Sequence, residues 1–102
     1  MVVLYRRLDF SRQQFRDYLQ RVHGPLAEAI PGLTGYTQNH VIEDSARNDP
    51  GWDAVVELSW NNREAMEGAW RTKEGEAATA DLPAFADMTR TTWSIVDEQV
   101  RR

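Results

Sequence analysis

The stretch IPGLTGYTQNHV, residues 30–41, changes the local period of the chain. Upstream, Phe15, Tyr18, Leu19 and Val22 recur at helical spacing and form one apolar stripe. Pro31-Gly32 stops that period. From Leu33 to Ile42 the order of residues reads as a strand, in which side chains alternate between two faces. Tyr36, Gln38 and His40 then point the same way. A phenol, a carboxamide and an imidazole in one row are costly to bury unless they find partners. The row therefore predicts a sheet face that forms the wall of a ligand cavity.

Working outward, VVLYRRL (2–8) is rich in β-formers and short, which predicts a first strand. Ser11 and Gln14 have capping-box spacing, so a helix starts there. Gly24 precedes Pro25, which disfavours helical geometry, and predicts a kink or break at His23-Gly24-Pro25. Leu26, Ala29 and Ile30 supply one more short turn. Downstream, EDSARNDPG (43–51) is polar and ends in an Asp-Pro-Gly turn signal. WDAVVELSW (52–60) alternates as a third strand, with Trp52, Ala54, Val56, Leu58 and Trp60 on one face.

Asn61 with Glu64 resembles a cap for a second helix carrying Ala65, Met66, Ala69 and Trp70. KEGEAATADL continues it weakly and stops near Pro83. MTRTTWSIVDEQV (88–100) predicts the last strand, with Trp93 in the core. The order β-α-β-β-α-β is the ferredoxin-like, α+β arrangement, an antiparallel sheet with helices on one face. Its other face, if bare, is costly in water. The expectation is one domain spanning 1–102, paired as a homodimer.

The bulk numbers narrow the function. The chain has 102 residues and a net charge of −4, which disfavours a nucleic-acid partner. Apolar residues make up 41% and charged ones 27%, an ordinary globular balance. With four tryptophans in so short a chain, some rings should be buried or line a pocket. There is no cysteine, so disulfides, thiolate metal sites and a cysteine nucleophile are excluded. No apolar run approaches the about 20 residues that span a membrane, and no signal peptide is visible, so the cytoplasm is expected. Phosphate-cradling loops, the GxSxG elbow and HExxH are all missing. The spacing of His23 and His40 matches no ligand pattern, so neither metal nor cofactor is expected.

Candidate chemistry falls to a few side chains. His23 and His40 are the only histidines, and an imidazole can give or take a proton near neutral pH. The competing readings are a solvated His40 near the strand end and a His23 that merely caps the first helix. Tyr5 reaches a cavity or packs under a helix. Trp60 lies on the apolar face of the third strand, Phe85 is placed to close one end of a pocket, and Asp81 and Asp87 either orient a histidine or, the better reading, are loop charges.

HGPLAEAIPGLTGYTQNHV (23–41) resembles the signature of EthD-domain proteins: a histidine on helix one in an H-x-P-L-like context, a Pro-Gly-Leu turn and a Y-x-Q-x-H strand. Asp81, Phe85, Asp87 and Glu98 match the family's acidic residue, phenylalanine, aspartate and late glutamate. FRDYL (15–19) is similar to the family's F-x-x-Y-W, with Leu19 in place of tryptophan. The resemblance implies a dimeric α/β-barrel. It also implies relatives that include muconolactone-type isomerases, and dehydratases, decarboxylases and cyclases acting on aromatic or polyketide intermediates. Others accompany ether degradation with no assigned reaction. Where activity is assigned it uses histidine and tyrosine without a cofactor, which points here to His23, Tyr36, Gln38 and His40.

The expectation is a cofactor-independent isomerase, dehydratase, cyclase or decarboxylase acting on a small hydrophobic oxygenated substrate. His40 would be general base or acid, His23 its partner, and Tyr36 and Gln38 hydrogen-bond donors to a developing oxyanion. The alternatives are a non-catalytic small-molecule binding protein and a cofactor-free monooxygenase.

Overall fold

The structure is a computed structural model that describes residues 1–46 and 51–102. The Asp-Pro-Gly turn expected at 49–51 falls largely outside the described residues. β1 is Val2–Leu4, β2 Gly35–His40, β3 Ala54–Ser59 and β4 Thr92–Trp93. They form one antiparallel sheet in the order β2-β3-β1-β4, the ferredoxin-like pattern. α1 (Arg12–Tyr18), a π-helical turn (Leu19–His23) and α2 (Gly24–Glu28) fill the first crossover. α3 (Arg63–Trp70), α4 (Lys73–Asp81) and a 3₁₀ turn (Leu82–Ala84) fill the second. Among the described residues no helix is long and apolar enough to cross a membrane.

Local chemistry sets the helix starts. Ser11 Oγ accepts from the Gln14 N–H, and Gln14 Oε1 accepts from the Ser11 N–H, so the capping box is complete. The second helix begins one residue later than its capping pattern suggested: Asn62, not Asn61, accepts from the Ala65 N–H at 2.8 Å. Thr72 caps α4 in the same way, through the Gly75 N–H.

The break expected at Gly24-Pro25 does not occur. Gly24 stays right-handed helical, with φ −51° and ψ −53°. The chain widens into a π turn, so that the Gly24 N–H reaches back to the Leu19 carbonyl. Pro25 then falls in the first turn of α2, directly after the π turn. His23 consequently lies inside a continuous helical segment and not at a helix end, so it does not cap the first helix.

Register decides what each sheet face sees. Tyr36 pairs with Leu58, Gln38 with Val56 and His40 with Ala54. Val2 pairs with Val56 and with Trp93, and Leu4 with Ala54. All of these side chains therefore share one face. Ala54, Val56 and Leu4 on it are buried with Phe15, Leu19, Leu82 and Phe85. The Tyr36-Gln38-His40 row thus faces the helices and not the bare side of the sheet, which carries Val3, Thr37, Asn39, Val55 and Glu57.

Phe15 and Phe85 are almost fully buried, and such burial contributes roughly 1.5–3 kcal/mol per large apolar side chain. A second cluster of Ala27, Ile30, Ala69 and Ala78 sits under α2, α3 and α4. Tyr36 and Leu58 pack against both clusters.

The terminal expectations need correction. β1 stops at Leu4, although Arg6 still bridges Ala86. β3 does not include Trp52, which is exposed, or Trp60, which leaves the strand. The last strand shrinks from 88–100 to Thr92–Trp93, and Trp93 is 59% exposed, not core. Ser94 still exchanges two backbone bonds with Met1, the last ladder contact after β4, so β-propensity past it is not matched by pairing among the described residues.

Candidate functional site

The helix-facing side of the sheet meets α3, α4 and the segment after β4 around a cavity of about 770 Å³. That volume suits a small-molecule pocket. Val2, Leu4, Val56 and Leu58 line it from the sheet, Met66 and Trp70 from α3, and Ala78 and Thr79 from α4. Trp93 to Glu98 form a further wall. The lining is not wholly apolar: His23 and Tyr36 share it with Ser59, Asn62, Arg63, Glu57 and Glu98, among others.

His23 is 7% exposed, and its Nδ1 lies 3.0 Å from Asp81 Oδ2. Asp81 Oδ1 accepts from the Tyr18 hydroxyl at 2.7 Å. A carboxylate only accepts, so Nδ1 carries a proton, and in the neutral imidazole the lone pair is then on Nε2. The Tyr18 phenol is held above its ordinary value, first by the bond to Asp81, then by burial and the Asp81 charge, and so stays a donor. Phe85 stacks on Tyr18 at 4.8 Å and tilts against His23 at 5.0 Å. The π turn contributes His23, and the last residue of α4 contributes Asp81.

α4 reaches that place because Gly75 allows a close crossing with α3. A Cβ there would stand 2.8 Å from the Trp70 Cα and closer still to the Ala69 carbonyl oxygen. Trp70 in turn holds Trp60 edge-on at 5.4 Å, and the Trp60 indole donates to the Pro31 carbonyl at 3.1 Å.

Along β2 the three polar side chains bond to one another. Gln38 Nε2 donates to the Tyr36 hydroxyl oxygen at 2.8 Å and to the Leu19 carbonyl at 2.9 Å. His40 Nε2 meets Gln38 Oε1 at 3.1 Å. The Tyr36 phenol is raised by burial and by nearby Glu28, against a lowering by Gln38, and so stays protonated. The His40 imidazole is pushed below its ordinary value, first by burial and then by Arg16, which holds it neutral.

Of the residues that the sequence singles out, His23, Tyr36 and Trp60 line the cavity. Gln38 and His40 stand behind Tyr36. Phe85 does not close a pocket end: it is fully buried core behind His23. Tyr5 is not on the cavity wall either. Its ring lies under the Arg90 guanidinium at 4.5 Å. Asp87 is a loop charge as expected, accepting from Thr89 and Arg90, and its carboxyl is lowered mainly by the Thr89 hydrogen bonds. Asp81, for which the sequence favours a loop charge over a residue that orients a histidine, is the one that pairs with His23. Among the described residues no group of three His, Asp or Glu side chains is placed to hold a metal ion.

The comparisons with known proteins agree with this architecture. The chain is similar over 96% of its length to a crystal structure of an ethyl tert-butyl ether D (EthD) family protein from Bacillus halodurans, with a TM-score of 0.81, 26% identity and 95% of that chain covered. HapK from Hahella chejuensis matches with a TM-score of 0.63 and 15% identity, over 99% of this chain and 92% of that one. A dimeric, ferredoxin-like protein of unknown function from Bacteroides fragilis matches with a TM-score of 0.61 and 14% identity, over 89% and 85%. At such identities the last two show the fold alone. No curated protein matches the chain significantly in sequence. The EthD domain model matches residues 7–89, which takes in the π turn, the polar row of β2 and Asp81, and the chain therefore belongs to the EthD-domain family.

Proposed function

We propose that the protein is a cofactor-independent enzyme that moves a proton on a small hydrophobic, oxygenated substrate, in an isomerisation, dehydration, cyclisation or decarboxylation. The observation that carries this reading is the His23–Asp81 pair, 3.0 Å apart, with the imidazole on the cavity wall. Asp81 holds the proton on Nδ1 and stabilises the imidazolium that forms when Nε2 accepts a second one. The base is thus His23, and not His40 as the strand pattern suggested. Tyr36 donates to the substrate oxygen on which charge develops, an arrangement that stabilises an enolate or phenolate. Val2, Leu58, Met66 and Trp70 supply the apolar contact that aromatic, lactone or polyketide-like compounds need.

The protein works as a homodimer in the cytoplasm in this reading. The dimeric Bacteroides fragilis neighbour and the exposed Trp93, Ile95 and Val96 support the former, and the cysteine-free composition is compatible with the latter. A carrier of apolar molecules would use the same cavity without needing a carboxylate on His23.

The test is a screen of lactone, phenolic and polyketide-like compounds for turnover or solvent-deuterium incorporation, run on the wild type and on His23→Gln. Turnover that vanishes in the variant is the expected result. Ligand binding with equal product formation in both would end the acid/base reading.

A further inference from the structure

The polar row on β2 has a direction, and a backbone atom sets it. The Leu19 carbonyl can only accept, and the Gln38 side chain lies 2.9 Å from it, so the amide must turn its NH₂ group that way. The same NH₂ then donates its second hydrogen to the Tyr36 oxygen at 2.8 Å. The amide oxygen is left facing His40 at 3.1 Å, which requires the proton of that imidazole to be on Nε2. Every bond in the row therefore runs toward Tyr36 or Leu19, and the phenol hydrogen is not consumed by the row. It is left for the cavity that Tyr36 lines.

We infer that His40 is a positioning residue which, by adding a second hold on the Gln38 amide opposite the Leu19 carbonyl, commits the Tyr36 hydroxyl to donate to an oxyanion of the bound ligand. A second feature of the site agrees. His40 Nδ1 is buried and has no hydrogen-bond partner among the described residues. Either way it is a buried polar atom without a partner, but as an N–H it would also leave Nε2 a lone pair facing the Gln38 oxygen, two acceptors with no hydrogen between them. The tautomer that serves Gln38 is also the one its surroundings tolerate. Arg16 near His40 opposes a second proton there, and Glu28 near Tyr36 opposes loss of the phenol proton. A phenol that accepts one hydrogen bond donates the next more strongly, so the row sharpens the preference for an anionic oxygen over a neutral hydroxyl.

This inference deepens the proposed function and rests on it for the existence of an oxyanion, but its test needs no substrate. The chain has three tyrosines, so protein labelled with ¹³C at the tyrosine ζ carbon gives three signals, and Tyr36→Phe assigns the relevant one. In His40→Phe and in Gln38→Met the Tyr36 ζ-carbon signal is expected to move at neutral pH, and the phenol to titrate at higher pH than in the wild type. The probe 4-nitrophenol then reads the preference: the affinity ratio of its phenolate to its neutral phenol should fall severalfold in His40→Phe, because the Tyr36 bond is kept but weakened. A Tyr36 signal that moves in Gln38→Met but not in His40→Phe would overturn the inference, because Gln38 would then be held by Leu19 alone. That failure is separate from failure of the base. A silent Asp81→Asn variant sinks His23 as base and leaves the Tyr36 response intact.

Discussion

The two histidines share a chain, a fold and nearly the same sheet–helix layer, yet they are wired in opposite senses. His23 presents Nδ1 to a carboxylate that a tyrosine also holds. His40 presents Nε2 to an amide oxygen and leaves Nδ1 buried with no partner among the described residues. A second proton on His23 is met by a neighbouring negative charge. A second proton on His40 meets burial and Arg16. Proton-transfer competence thus follows from the acceptor behind the ring, and residue type alone does not confer it.

The contrast can be broken at several points. The largest effect is expected from Asp81→Asn, which removes the charge behind His23 and frees the wrong tautomer. Turnover of whichever compound the screen identifies should fall by about 10²–10⁴, while the Tyr36 ζ-carbon signal stays in place. A variant with near-normal turnover would make the two histidines equivalent after all.

Next comes the crossing that delivers Asp81. Glycine inside a helix normally costs about 0.5–1 kcal/mol against alanine. Gly75→Ala should nevertheless destabilise, by about 1–3 kcal/mol, because the new methyl meets the backbone of Ala69 and Trp70. Chemical denaturation decides the sign. A more stable variant would mean that α3 and α4 are free to move apart.

Tyr18→Phe should act more gently. Asp81 keeps His23 but loses one donor, and stability should drop by about 1 kcal/mol with a modest loss of turnover.

The smallest effect concerns pH. His40 binds a proton less readily folded than unfolded, because burial and Arg16 lower its value. The unfolded chain therefore takes up the proton first. The contribution is constant above about 6.5 and stability is lost as pH falls below that point toward the lowered value. Thermal melts of wild type and His40→Asn between about pH 8 and pH 5 should show a shallower acid-side decline in the variant. An unchanged slope would place His40 in water and undo its half of the contrast.

The element order was legible because its signals are local. Ser11 with Gln14, the helical spacing of Phe15 to Val22 and the alternation through Ala54, Val56 and Leu58 each act within a few residues. The sites were legible only where a non-local fact was not needed. Alternation placed Tyr36, Gln38 and His40 on one face, but only the register Tyr36↔Leu58 reveals that the helices cover that face. Asp81 read as a loop charge because its two partners are 63 and 58 residues away in sequence. Pro25 looked like a helix break because the π turn that accommodates it leaves no mark in local propensity. The β-rich residues after Trp93 looked like a strand because propensity does not report whether a partner strand exists.

The most direct measurement is the ¹⁵N resonance pattern of the two neutral imidazoles, assigned with His23→Gln. Free neutral histidine favours the Nε2–H tautomer, so a different answer at one site has to come from its surroundings. The account predicts Nδ1–H at His23, held by Asp81, and Nε2–H at His40, held by Gln38. Nε2–H at His23 would leave no lone pair facing the cavity and would contradict its role as the base.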